Sequence, residues 1–166
     1  MFSGKTEELL RLLKRAEFAK INSILFKPQT DTRGDISVVA SHSKRTKDCV
    51  VVKSAKEIEQ LAANFEYIAI DEAQFFDFDI VSVVENLARK GKRVVLSGLD
   101  MDYLGKPFGP MPHLMAIADE VIKLHAICTE CGAQAQFSKR ISNKDQTVLI
   151  GAKESYTALC RTHFYA

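Results

Sequence analysis

The sequence predicts an α/β fold, a parallel sheet flanked by helices, followed by a small cysteine-rich module. Three observations carry this. Strand-length apolar runs alternate with helix-period stretches from Thr6 to Ala126. The run Tyr67 to Ile70 is apolar throughout and ends abruptly in Asp71-Glu72, as a buried parallel strand does when its C-terminal edge carries chemistry. Beyond residue 126 the alternation gives way to a CxxC, short strand-like runs and a terminal CxxH.

From Thr6 to Lys20 the residues Leu9, Leu12, Leu13, Ala16 and Ala19 fall at three- and four-residue steps, the period of an amphipathic helix. Ser23 to Phe26 reads as a strand closed by Lys27-Pro28, and Asp31 to Gly34 as a polar loop. The β-branched runs Ile36 to Val39 and Val50 to Val52 are strands, and Ser54-Ala-Lys-Glu57 is a capping box opening a helix to about Ala63. After the Tyr67 strand come a helix over Asp77 to Lys90 stopped by Gly91, a strand over Arg93 to Ser97, a helix over Met111 to Ala118 and a strand over Glu120 to Ala126. Shorter strands are expected at Ala135 to Lys139 and Thr147 to Ile150. These divide the chain into a body, residues 1–126, and a tail, residues 127–166.

At 166 residues the chain has room for one full domain or a domain with a small appendage. Hydrophobic residues at 46% and charged residues at 27% exclude a disordered or low-complexity chain. Lys+Arg 23 against Asp+Glu 21 leaves +2, and the basic residues are scattered, so no nucleic-acid partner is expected. With no long apolar run and no signal-peptide pattern, neither is a membrane, and the cytoplasm is the expected location.

Ser3-Gly4-Lys5-Thr6 stands directly before the first helix and supplies the second half of a Walker A loop. Its parts are a glycine that lets the backbone approach phosphate, a lysine for the β- and γ-phosphates, a hydroxyl for magnesium, and a helix N-terminus facing the anion. The full pattern GxxxxGK[ST] places its first glycine two residues before Met1, with a strand ahead of it. About 10 to 20 residues are therefore expected to precede Met1. Asp71, at the tip of an apolar strand, is the matching Walker B acid, and Glu72 is a second carboxylate able to take a proton from a substrate hydroxyl or from water. Together they make the body a P-loop NTPase-type sheet. Gln74 is placed beside phosphate or water, and Phe75-Phe76 either fill core or line a pocket.

Cys128-Thr-Glu-Cys131 and Cys160-Arg-Thr-His163 are two knuckles whose four ligands suit tetrahedral Cys3His zinc, in a structural role. A tail of about 40 residues buries too little to fold without such a staple. Cys49 is expected to be a buried small hydrophobe.

MFSGKTEELLRLLKR, FKPQTDTR with a following SH, IDEAQFFD, GLDMDYLGKPFGP, the CTECG knuckle and IGAKESYTALCRTH, as an ordered set, resemble the type II thymidine kinases, the cytosolic zinc-containing class. The resemblance implies ATP-dependent phosphorylation of the thymidine 5′-hydroxyl. Ser3, Gly4, Lys5 and Thr6 then serve ATP and Mg2+, Asp71 completes the Walker B contribution, and Glu72 accepts the 5′-hydroxyl proton. Asp31 and Arg33 match a DxR motif near the magnesium and the transferring phosphate. By the same resemblance Met1, Phe75, Leu99, Tyr103 and Phe108 form the apolar walls of the nucleoside pocket. Main-chain groups of Thr147, Val148, Leu149, Ile150 and Gly151, in a loop between the knuckles, cover the base, with Ser138 and Tyr156 beside sugar and base. The family also implies a homotetramer and feedback inhibition by thymidine triphosphate. Gly34, where the family commonly has tyrosine, and Lys44, where it has glycine, depart from the pattern.

Two other readings stand beside the kinase. One is a P-loop ATPase whose zinc module binds nucleic acid and whose Glu72 activates water, which salt-sensitive retention on single-stranded DNA would reveal. The other is a catalytically dead regulator, motivated by the incomplete Walker A loop.

Overall fold

A computed structural model describes residues 1–29, 38–40, 46–141 and 155–166. Helix α1 (Lys5–Phe18) buries Leu9, Leu10, Leu13 and Ala16. Leu10 takes the inward place expected of Ala19, which lies exposed beyond the last turn. Strand β1 (Ser23–Pro28) leads to the antiparallel pair β2 (Val38–Ala40) and β3 (Thr46–Asp48), then to β4 (Val50–Val52) and helix α2 (Ala55–Leu61). The expected capping box is not made. Ser54 gives no side-chain cap, and Glu57 Oε2 accepts the N–H of Lys53, one residue ahead of the cap position.

Strand β5 (Tyr67–Ile70) is buried along its whole length. It is followed by a 3-10 turn over Ala73–Phe75, helix α3 (Asp79–Arg89), strand β6 (Arg93–Leu96) and helix α4 (Met111–Ile117). Strands β4-β1-β5-β6 form one parallel sheet in that order, with Phe26 opposite Ile70 and Ile70 opposite Leu96. Side chains alternate across the sheet with period two. Phe26, Ile68 and Ile70 pack with Ile58 of α2 and with Ile80, Val83 and Leu87 of α3. Leu25, Tyr67 and Ala69 pack on the buried face of α1. Each Ile or Leu buried this way is worth about 1.5 to 3 kcal/mol relative to exposure, and the two layers clamp β5 between them.

The strand expected over Glu120 to Ala126 shortens to β7 (Ala126–Ile127). Strand β6 pairs only with β5, so among the described residues no neighbour takes up the main chain of 120–125. Val121, Ile122 and Leu124 are consequently 45%, 58% and 36% exposed. Strand β7 pairs antiparallel with β8 (Gln134–Ala135). Strand β9 (Phe137–Arg140) pairs antiparallel with β10 (Tyr156–Leu159), and α5 (Arg161–Phe164) closes the chain. Thr147 to Ile150, expected as a strand, lies outside the described residues. Among the described residues no helix is long and apolar enough to cross a membrane.

Helix α3 ends in a Schellman motif. Gly91, at φ +79°, donates its N–H to Ala88, and Lys92 donates its N–H to Leu87. This turn aims the Lys92 ammonium at the end of α2, where Nζ donates to the carbonyls of Ala62, Ala63 and Phe65 at 3.1, 2.8 and 2.7 Å. Replacing it by Lys92→Met removes three hydrogen bonds to carbonyls and should cost about 1 to 2 kcal/mol in urea unfolding, leaving turnover per folded molecule unchanged. A loss below a few tenths would contradict this role.

Candidate active site

Sheet register builds the centre of the site. Because Phe26, Ile70 and Leu96 lie abreast, the next residues along the three strands, Lys27, Asp71 and Ser97, also emerge side by side. The main chain continues the ladder, with Asp71 N–H on Phe26 O, Ser97 N–H on Ile70 O and Ala73 N–H on Ser97 O. All three residues are buried.

Helix α1 brings the phosphate-loop half-motif to the same edge. Gly4 caps it at φ +78°, a left-handed conformation open to glycine at no steric cost, and Glu8 N–H closes the first turn on Gly4 O. Thr6 Oγ1 donates to Asp71 Oδ2 at 3.2 Å, joining the two halves of the expected Walker pair across the sheet. Asp71 Oδ1 accepts the Glu72 N–H at 3.0 Å and the Ser97 hydroxyl. Burial, and then the charge of Glu72, push the Asp71 carboxyl up to about 6, while the bonds from Ser97, Glu72 N–H and Thr6 pull the other way.

Glu72 itself sits at φ 52°, ψ 44°, a left-handed conformation uncommon for a residue with a side chain and concentrated at functional sites. Its Oε2 accepts Gln74 Nε2–H at 2.5 Å, and Gln74 Oε1 accepts the Leu99 N–H at 3.0 Å. Gln74, expected beside phosphate or water, is 2% exposed, and its amide bonds Glu72 at one end and Leu99 at the other.

Residues 98–110 form a compact loop. Asp102 Oδ1 accepts the N–H groups of Leu104 and Lys106, Met101 bridges to Pro107, and Phe108 N–H reaches Asp100 O. The loop sets Phe108 edge-on to Phe75 at 5.7 Å. Tyr103 lies under the Arg140 guanidinium at 3.9 Å, and Arg140 Nη2 donates to the Tyr156 hydroxyl at 3.0 Å, so two of the expected pocket residues are joined by an arginine outside the expected set. The main-chain nitrogen of Met1 donates to Ser138 Oγ at 2.5 Å. Met1, Ser3, Lys5, Leu99 and Phe137 line one open cleft, which brings the phosphate-loop lysine and an expected pocket wall together. Asp31, Arg33 and the run Thr147, Val148, Leu149, Ile150 and Gly151 lie outside the described residues.

In the tail, Cys128, Cys131, Cys160 and His163 place their ligand atoms within 4.8 Å of one another. Cys131 Sγ and Cys160 Sγ are 3.8 Å apart, and His163 Nδ1 lies 3.2 Å from Cys160 Sγ and 3.7 Å from Cys128 Sγ. Zinc bonds of about 2.3 Å to sulfur and 2.0 Å to nitrogen set tetrahedral edges of about 3.8 and 3.5 Å. The cluster is therefore compatible with zinc. The main-chain N–H and the ring of His163 lower the Cys160 thiol toward the thiolate a metal takes. Cys49, expected to be buried, is half-buried against the α1 layer.

In the sequence Lys27 and Ser97 stand only as strand ends, and neither they nor Arg140 has a site role there. Lys27 lies near the end of β1 and Ser97 directly after β6, the two strands that flank β5, so sheet order gives both their place beside Asp71. Arg140 carried no local signal, since its partners Tyr103 and Tyr156 are distant in sequence.

The sequence model of the thymidine kinase family matches residues 1–164. Thymidine kinases of Bacteroides fragilis and Bdellovibrio bacteriovorus are 48% and 47% identical to this chain, covering 97% and 99% of it and 81% of each relative. That of Porphyromonas gingivalis is 49% identical over 98% of this chain and 79% of its own length. A crystal structure of Bacteroides Pif1 bound to single-stranded DNA aligns with 72% of this chain and 32% of its own at 19% identity and TM-score 0.34, a likeness too low to carry any inference.

Asp71 titrates higher in the folded protein than in the unfolded chain, where its value is 3.8. Folding therefore binds its proton, and that contribution to stability is full below about pH 4 and lost as pH rises through about 6. Asp71→Asn carries no such proton. In metal-free buffer it should gain on the parent by on the order of 1 to 3 kcal/mol between pH 4 and pH 7, read from urea unfolding at a series of pH values. A difference that stays flat across this window would contradict the burial of the charge.

Proposed function

The chain belongs to the thymidine kinase family and is an enzyme that phosphorylates thymidine with ATP as donor; we propose that the C-terminal edge of the β4-β1-β5-β6 sheet is where it does so. In this reading Glu72 accepts the proton of the thymidine 5′-hydroxyl as that oxygen attacks the γ-phosphorus, and ADP leaves. Ser3, Gly4 and Lys5 hold the triphosphate, with Lys5 offsetting charge on the β- and γ-phosphates. Thr6 and Asp71 would hold Mg2+. Asp71 suits it, being a carboxylate 5% exposed beside a second carboxylate and, among the described residues, bonded to hydroxyl and N–H groups. The bound ion would neutralise charge on the β- and γ-phosphate oxygens. Asp31 and Arg33 complete the phosphate environment.

The thymidine pocket in this proposal has Met1, Phe75, Leu99, Tyr103 and Phe108 as walls. Ser138 and Tyr156 flank sugar and base, and the main chain of Thr147 to Gly151 covers the base. Residues 127–166 act as a separate lid on the 1–126 body, stapled by structural Zn2+ at Cys128, Cys131, Cys160 and His163. A homotetramer, inhibition by thymidine triphosphate and a cytoplasmic location belong to the same reading. The last suits four free thiols, three of them in one metal-ligand cluster.

The observation that supports it most is the Thr6–Asp71 hydrogen bond with Glu72, in a left-handed turn, directly beside it. Glu72→Gln should retain ATP binding and lose at least about 100-fold in kcat, the usual scale for removing a general base. Near-normal turnover would remove Glu72 from the mechanism. Metal analysis should find one zinc per chain, and Cys131→Ser should lower that content and raise the thymidine KM more than the ATP KM. Full activity with no bound metal would contradict the staple.

A further inference from the structure

Gln74 occupies the 3-10 turn between Glu72 and helix α3, and its environment is built around it from two sides. Its orientation is fixed by hydrogen-bond chemistry. The Glu72 carboxylate only accepts and the Leu99 N–H only donates, so Nε2 must face the first and Oε1 the second. Two glycines leave the room. A Cβ at Gly98 would stand 3.0 Å from Gln74 Oε1 and 2.6 Å from Met111 Sδ, and one at Gly109, where φ is +50°, would stand 2.5 Å from the Gln74 carbonyl oxygen. Both ends of the 98–110 loop are thereby seated against this one residue.

We propose that Gln74 is a positioning residue that fixes the Glu72 carboxylate and couples it to the Leu99 end of the nucleoside pocket, through the chain Leu99 N–H to Gln74 Oε1 and Gln74 Nε2–H to Glu72 Oε2. This deepens the reading of Glu72 as the base and rests on it. A glutamate at a strand tip has three side-chain torsions, and a base works only within hydrogen-bond reach of the proton it takes. A displacement of about 1 Å at such a group costs on the order of 100-fold in rate. The buried amide removes that freedom on one side. On the other it ties the base to a main-chain group of a pocket wall, so a nucleoside resting on Leu99 and the carboxylate that deprotonates it are held by the same side chain.

The test is a double-mutant cycle on the full chain with thymidine and ATP. Gln74→Met keeps length and loses both polar ends. It should lower kcat by about 10- to 100-fold while leaving the ATP KM within about 3-fold. In the Glu72→Gln background the same substitution should change kcat by less than about 2-fold, because a residue acting through the base has nothing left to position. A merely structural residue would give losses that multiply, and that result, or an unchanged kcat for Gln74→Met, overturns the coupling while leaving Glu72 as the base. Near-normal turnover for Glu72→Gln alone overturns the base assignment, and the coupling falls with it. Gln74→Glu guards against a folding failure of the methionine variant. It keeps the size and the acceptor for Leu99 N–H but presents a carboxylate to Glu72, and the same kcat-selective loss is expected; wild-type kcat from this variant would contradict the proposal.

Discussion

Two adjacent carboxylates at the tip of a buried strand set the terms for the rest of the molecule. Asp71 is taken out of water, which disfavours its charge, and Glu72 beside it adds repulsion. The fold answers with three donors on Asp71, from Thr6, Ser97 and the Glu72 main chain, each delivered by a different element. Those donors arrive only if β5 and β6 keep their register and α1 packs on the sheet with Gly4 at its head. The apolar layers on the two faces of β5 secure this. The left-handed backbone of Glu72 is a further local cost, of order 1 to 3 kcal/mol. A region so unfavourable by itself is held in place by its surroundings.

A second constraint governs the tail. The pairs β7–β8 and β9–β10 are short, and the apolar set they share is mostly small residues, Ala126, Cys128, Ala135 and Ala158, with Leu159. Two-stranded ribbons of this kind are marginal alone. The Cys3His cluster brings the β7–β8 turn and the start of α5 together, and Phe2 packs on the same set, so the N-terminal residues and the tail share a contact. Arg140, stacked on Tyr103 and bonded to Tyr156, makes a second tie between the ribbon and the 98–110 loop.

Much of this was legible in the residues because it depends on local period or chemistry. The three-and-four spacing of α1, the apolar run of β5 with its acidic end, Gly91 as the stop of α3 and the two metal knuckles each carry their own signal. What was not legible depends on partners elsewhere in the chain. The run Glu120 to Ala126 has strand composition, but a strand also needs a neighbour, and β6 offers it none among the described residues. The capping box failed because Glu57 found the Lys53 N–H instead. Strand β10 was overlooked because its Tyr-Thr-Ala-Leu has no alternation of its own and is set by pairing with β9. In the site, Thr6 and Asp71 stand out by motif and meet in a hydrogen bond, whereas the inward turn of Gln74 required Leu99 and two distant glycines to be in place.

The most direct test of the account is product formation by the purified protein from ATP and thymidine, run beside deoxycytidine and deoxyguanosine. Thymidine monophosphate should form in amounts that track thymidine, with little product from the other two nucleosides. ATP hydrolysis that proceeds equally well without any nucleoside, and yields no monophosphate, would contradict it.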